Sequence, residues 1–547
     1  MRKLVLLFVL IVIIDFVAFS QSCLPEGISF TAQTQIDSFQ INYPGCSAIE
    51  GDVEIYGSYV ENLNGLSIIT SIGGLLSIRY TETMTSLEGL DNLTFIGESL
   101  SIMNNYALAS LDGLENLDSV GSYMNVNHNV VLTSLTGLMG LTFIGGSLSI
   151  SLNTALASLT GLEGLTYIGN DISIENNIAL VNLTGLEGIT SVEGNLSLIN
   201  NYALTSLSGA EGITSIGGDL SFNNNTILTN LQGLEGLTSI GGVLRIAGNP
   251  ALVNLEGLVG LTSVGGELMV FSNPVLTSME GLEGLISIGD GLLINENNAL
   301  INLTGLGYLA TIGGDLTIQS NPDLTSLTGL EGVTTIGGEI YIYSNSTLHS
   351  LAGLEGVTSI GGNLKIQYNT YLSSVAGLIN LTSIGGDLYV RSNLMLSGLT
   401  GLDNIDAGSI ASLVIMDNFQ LSECAVQSIC NYLVLNAAQI ADNSPGCESE
   451  EQVEADCGIG VDESAVNGQQ SAVMIYPNPS ASEIFIVTKE IADKADLIIL
   501  NLSGQELIRQ QISESITKID VRHLPGGIYF VKVMDDRTSQ VGKFVKQ

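Results

Sequence analysis

The sequence is short of positive charge, histidine and proline. It has 15 Lys+Arg against 55 Asp+Glu, 3 His, 9 Pro and no Trp in 547 residues, for a formal net charge of -40. A chain this acidic lacks what nucleic acid or an anionic membrane surface needs to replace its counterions, and we exclude both as partners. With 45% apolar and only 13% charged residues it is not a disordered acidic tail either. His128 and His349 lie about nine repeat units apart, roughly 44 Å at ~4.8 Å per coil of a stacked fold, and cannot share a catalytic site. The third, His523, is near the C-terminus. No CxxC pair occurs, which argues against a metal-binding use of the six cysteines.

Beyond the first residues there is no apolar run of membrane-spanning length. At the start, Arg2 and Lys3 precede the apolar stretch Leu4 to Phe19, and residues 1–20 read as a secretory signal peptide. An exported chain with an even cysteine count implies disulfides. Cys23 and Cys46 precede the regular region and pair locally, whereas Cys424, Cys430, Cys447 and Cys457 follow it and allow three connectivities.

What is abundant is glycine, 64 residues of it, and it is periodic. Gly recurs every 24 residues from Gly65 to Gly401, usually followed by Leu. Asn recurs with the same period from Asn105 to Asn393, each with a Leu three residues later. Pairs such as Leu244-x-Ile246 alternate buried and exposed positions, the signature of a short half-buried strand. Leu111, Leu114, Leu117 and Val120, three apart, suit a tightly coiled wall. Gly-Gly pairs such as Gly241-Gly242 are expected to give the backbone its freedom at a corner before the strand. No unit can bury its apolar side alone, so the units stack: the fold class is all-β, a parallel β-solenoid followed by a small antiparallel β-sandwich. The Asn column turns inward as a polar ladder. The pattern slips by one residue at Val53-x-Ile55 and Leu413-x-Ile415. Val426, Ile429, Cys430 and Leu433 have helical spacing and predict a helix that caps the end.

The run Leu244-Arg245-Ile246-Ala247-Gly248-Asn249 resembles the strand-and-Asn core of leucine-rich repeats, and the longer pattern that ends in Ile-Gly-Gly resembles the receptor L-domain type. It departs from the leucine-rich consensus downstream, where Leu falls three rather than two residues after Asn. The chain end resembles the C-terminal sorting domain of the type IX secretion system of Bacteroidetes-type bacteria. The matching segments are Tyr476-Pro477-Asn478-Pro479, Asn501-Leu502-Ser503-Gly504-Gln505, Leu524-Pro525-Gly526-Gly527-Ile528-Tyr529 and Lys543-Phe544-Val545-Lys546. That resemblance implies the type IX machinery as partner, export across the outer membrane, and a secreted or surface-attached product. The expected order is residues 1–20 signal peptide, 21–64 N-terminal disulfide cap and first coil, 65–420 solenoid, 421–457 C-terminal cap, 458–472 linker and 473–547 sorting domain.

Between residues 24 and 457 there are 43 Asp+Glu and only four cations: Arg79, Arg245, Lys365 and Arg391. All four fall on outward strand positions, or just after them, on a face that also carries Phe271, Tyr341, Tyr343, Tyr368 and Tyr389. In leucine-rich solenoids the corresponding face commonly binds ligand. Rings with Arg or Lys suit stacking on sugars and contact with acidic groups. The candidate binding residues are therefore Arg245, Phe271, Tyr341, Tyr343, Lys365, Tyr368, Tyr389 and Arg391. Glu163, Glu187, Glu211 and Glu235 recur on four successive coils, where like charges about 5 Å apart cost under ~1 kcal/mol per pair in water. They would admit calcium, and no other cofactor is expected; the competing reading is a solvated acidic edge. Functionally the sequence points to a non-catalytic, secreted or surface protein that recognises glycan or protein. The alternatives are a structural surface-layer component and, less favoured, a β-helix polysaccharide lyase.

Overall fold

The computed structural model describes residues 21–459, 473–488, 494–502, 504–534 and 539–547. The expected signal peptide and residues 460–472 of the expected linker lie outside them. Two compact units are present, residues 21–276 with 280–285, and residues 277–279 with 286–547.

Each unit is built of parallel coils, and the periods read from sequence decide their shape. In the first unit the four-residue strands run in register coil upon coil, Leu196–Ile199 on Leu220–Asn223 on Leu244–Ala247 on Leu268–Phe271. In the second, Leu292–Asn295, Leu316–Gln319, Ile340–Tyr343, Leu364–Gln367 and Leu388–Arg391 do the same. The first and third side chains of each strand point in and are fully buried, as at Leu244 and Ile246. A second wall is made of two-residue strands such as Ser239–Ile240, with the Ile inside. The leucines three apart close the remaining side, and all are buried.

The Asn column turns inward and is wholly buried. The Oδ1 of Asn249 accepts from the backbone N–H of Asn225 at 3.0 Å, and its Nδ2 donates to the carbonyl of Phe222 at 3.0 Å. Each ladder Asn from Asn105 to Asn273 in the first unit, and from Asn321 to Asn443 in the second, thus bonds two polar groups of the coil before it inside an apolar core. The ladder begins at Thr81, whose N–H and hydroxyl donate to Asn105. In the second unit it absorbs the one-residue slip and continues through Asn418 to Asn443.

The structure corrects the reading of the glycines. The left-handed corner falls on the residue before each ladder Asn, and it is mostly not glycine: His128, Leu152, Asn176, Asn200, Asn224, Ser272 and Tyr368 all have φ between 53° and 58°. The Gly-Gly pairs are there for space. A Cβ on Gly241 would sit 2.1 Å from the carbonyl oxygen of Gly217 in the coil below. The glycine that needs conformational freedom is the one before Leu, such as Gly233 at φ 112°.

Both ends are covered. At the start, helices Gln33–Asp37 and Phe39–Asn42 bury Ile36 and Phe39, and Cys23 pairs with Cys46. At the other end, helix Gln427–Leu433 occupies the segment predicted, and Cys430 ties it to Cys457, beside a second helix, Glu450–Asp456. Cys424 pairs with Cys447, which resolves the three possible connectivities.

The last segment is all antiparallel. One sheet joins Val473–Tyr476, Glu483–Thr488 and Ile516–Asp520; the other joins Glu506–Ile512, Ala495–Asn501, Gly527–Met534 and Ser539–Lys546. Their inward side chains, among them Ile484, Ile486, Leu497, Ile499, Val531 and Phe544, form a separate core. Glu506–Ile512 carries no alternation in sequence because, as an edge strand, it is exposed along most of its length.

Candidate ligand-binding face

The outward strand positions form straight columns because the coils stack in register. In the second unit one column reads Thr317, Tyr341, Lys365, Tyr389 and the next reads Gln319, Tyr343, Gln367, Arg391. The rings of Tyr341 and Tyr343 approach to 5.4 Å, and Tyr368 meets Tyr343 edge-on at 5.2 Å. Tyr368 reaches this position from the left-handed corner at φ 58°, a conformation that costs an L-residue roughly 1–2 kcal/mol. Lys365 lies 5.9 Å from the Tyr341 ring centroid. Tyr389 is in register with Lys365 but stands outside this chain of ring contacts. Among the described residues none of the four tyrosine hydroxyls has a hydrogen-bond partner.

The cations here are not free. Lys365 donates to Glu339 at 2.8 Å and Arg391 to Asp417 at 2.9 Å. Burial pushes the Glu339 carboxyl up, but hydrogen bonds from Lys365 and Asn363 more than offset it and hold it below the usual carboxylate range. Burial, then the neighbouring Tyr343, Glu339 and Tyr368, pushes the Tyr341 hydroxyl up, so this ring stays neutral. In the first unit Arg79 pairs with Glu54 at 3.3 Å and lies over Tyr56. Arg245 alone of the four has no carboxylate partner among the described residues; its guanidinium stacks 4.5 Å above the Phe271 ring. The eight candidate residues therefore separate into an Arg245–Phe271 pair in one unit and a tyrosine-centred group of six in the other.

The acidic column has a structural use that spacing alone does not disclose. The side chains of Glu163, Glu187, Glu211 and Glu235 each accept from the N–H of the glycine two residues earlier, at 2.8 to 3.0 Å for the closer oxygen. Asp91, Glu115, Glu283, Glu331, Glu355 and Asp403 do the same. Where Ser67, Met139 or Ile379 stands instead, the chain takes a 3-10 turn at Asn64–Leu66, Thr136–Leu138 and Ala376–Leu378. The four exposed carboxylates are thus each engaged within their own coil, and among the described residues no group of three or more His, Cys, Asp or Glu is placed to hold an ion.

Sequence reasoning missed a second aromatic group. Phe95, Phe143 and Tyr167 each precede the buried Ile of a two-residue strand and are 40–45% exposed, and the Phe143 and Tyr167 rings stack at 5.1 Å. The outward position before that Ile was the available signal. Threonines on the same side are occupied: the hydroxyls of Thr214, Thr238 and Thr262 donate to the carbonyl of the coil below at 3.0 Å.

In the C-terminal segment the motif residues act as fasteners. Asn478 donates to the Lys543 carbonyl at 3.0 Å and accepts from the Val545 N–H at 2.7 Å, which ties the Tyr-Pro-Asn-Pro turn to the last strand. Tyr476 stacks on Phe485, and the Tyr529 hydroxyl donates to the Pro525 carbonyl at 2.7 Å, closing the Leu-Pro-Gly-Gly turn.

Fold and face together define a leucine-rich-repeat-like parallel β-solenoid followed by a small sorting-type sandwich. Comparison with known families agrees: residues 45–133 match the Receptor L domain, and residues 474–547 match the secretion system C-terminal sorting domain. No curated protein matches the chain. The type IX sorting tail marks a secreted or cell-surface protein that engages the type IX secretion machinery.

Proposed function

We propose that this is a non-catalytic binding protein, displayed or released outside the cell, that holds extracellular glycan on the strand face of its coils at the tyrosine cluster. The observation that carries this reading is the Tyr341–Tyr343–Tyr368 group, three rings joined through Tyr343 by contacts of 5.4 and 5.2 Å, whose hydroxyls have no hydrogen-bond partner among the described residues. Rings fixed on strands lose little freedom on binding and offer both a stacking surface and a hydrogen-bonding tip. Gln319 and Gln367 beside them supply amides. Because Lys365 and Arg391 are already paired, the cluster offers rings and amides rather than free positive charge, and the chemistry it suits is an uncharged sugar. The Receptor L domain match supports a binding role in general.

The test is a glycan and protein array probed with the secreted protein and with Tyr341→Ala, Tyr343→Ala, Tyr368→Ala and Tyr389→Ala. Neutral-glycan signals should fall at least tenfold in the first three. Unchanged binding in all of them refutes the assignment, and an array blank for the parent favours a structural surface component.

A further inference from the structure

Of the four cations between residues 24 and 457, Arg245, without a carboxylate partner among the described residues, sits in a hollow of about 320 Å³ lined by Ile199, Asn223, Asn224, Arg245, Gly248 and Phe271. That volume falls at the small end of ligand sites and suits a single ring-sized unit. Acids outnumber bases 43 to 4 between residues 24 and 457, so Arg245 is not unpaired for want of carboxylates. Its outward neighbours in register are Ser221 and Met269, and the adjacent column holds Asn223, Ala247 and Phe271, none of them acidic. Stacking on Phe271 at 4.5 Å orients the guanidinium, and its N–H groups have no acceptor among the described residues. The same hollow holds a second unmet group: the Oδ1 of Asn223 is buried and has no hydrogen-bond partner among the described residues. A buried unpaired acceptor costs about 1–3 kcal/mol, which a ligand that donates to it would relieve.

We infer that this hollow binds a carboxylated sugar, its carboxylate on the Arg245 guanidinium and one of its hydroxyls donating to Asn223. A planar carboxylate matches the donor fork two bonds at a time, and an adjacent hydroxyl supplies the donor the amide lacks. A simple carboxylate satisfies the first group only, and a neutral sugar the second only. The inference rests on the reading of the strand face as the binding surface, but uses different residues, in the other unit, from the tyrosine cluster.

The experiment is calorimetric titration of the full secreted protein with tri-galacturonate, its methyl ester and acetate. Tri-galacturonate should bind at least tenfold more tightly than either of the others. Arg245→Gln should lose tenfold or more and Arg245→Lys a smaller part, since charge is kept and the fork is lost. Asn223→Leu should weaken binding several-fold; all three variants should melt within 2 °C of the parent. Equal binding of acid and ester, acetate as strong as the sugar acid, full binding by Arg245→Gln, or no heat at 10 mM ligand would each overturn the inference. Tyr341→Ala and Tyr343→Ala separate the two readings: they should leave tri-galacturonate binding intact, and loss there would assign it to the cluster.

Discussion

Replacing one ladder asparagine should cost several kcal/mol although no side chain at the surface changes. Asn225 is fully buried; its Oδ1 accepts from the Asn201 N–H at 3.1 Å, and its Nδ2 donates to the Leu198 carbonyl at 2.9 Å. Asn225→Leu keeps the branched shape and removes both bonds, leaving a buried N–H unmet and a buried C=O one donor short. At about 1–3 kcal/mol for each group that loses its partner, the expected loss is ~2–6 kcal/mol. Coils contact only their neighbours, so the defect should loosen adjacent coils first and split or broaden the unfolding transition. Urea unfolding followed by circular dichroism measures the loss, and hydrogen exchange at the Asn201 amide locates it. Asn225→Asp sharpens the test. It keeps the acceptor for Asn201 but turns a carboxylate toward the Leu198 carbonyl in a buried site, which raises its folded pKa. A folded pKa above the unfolded value of about 3.9 means the deficit relative to the parent is smallest below that value and grows from there until pH has risen through the folded pKa. A loss under 0.5 kcal/mol for Asn225→Leu, with unchanged protection at Asn201, would refute the view that the ladder is a main source of stability.

Two glycines in opposite surroundings should respond oppositely to a methyl group. Gly241→Ala puts a Cβ 2.1 Å from the Gly217 carbonyl and should destabilise by several kcal/mol or abolish secretion, whereas Gly307→Ala meets nothing within 4 Å and should be neutral or gain up to about 1 kcal/mol in thermal unfolding. For the acidic column, Glu187→Ala removes the acceptor for the Gly185 N–H and should cost about 0.5–1 kcal/mol, while Glu187→Gln keeps an acceptor and should cost less; equal losses would mean the charge, not the hydrogen bond, matters. The Glu339 carboxyl should titrate by NMR below the ordinary value of about 4.3, because Lys365 and Asn363 outweigh burial. Its contribution to stability is then present above that value and lost as pH falls through the lowered one, and a midpoint at or above 4.3 contradicts the pairing.

Much of the architecture is legible in the chain because a 24-residue period repeated without insertion leaves stacking as the one way to bury the apolar positions. The Leu-x-Ile strands, the inward Asn ladder and the helix at Gln427–Leu433 follow from periods of two, 24 and about 3.6. The glycines misled because a sequence shows that a Cβ is absent and not why: at Gly241 the reason is a carbonyl of the next coil, at Gly233 a positive φ. The outward columns proposed as a binding face were legible as lines, since register turns a period into a row of neighbours.

By itself the sequence determined the fold class, the export tail and the outward columns, all of which depend on local pattern repeated many times. Only the tertiary structure decided which charges on those columns are spent. Arg79, Lys365 and Arg391 find carboxylates 25 or 26 residues away in number but beside them in space, whereas Arg245 finds Phe271. A pairing between coils depends on rotamer and reach rather than on period, so a face that reads as uniformly basic and aromatic resolves into a tyrosine cluster with paired cations and a guanidinium, Arg245, that has no carboxylate among the described residues.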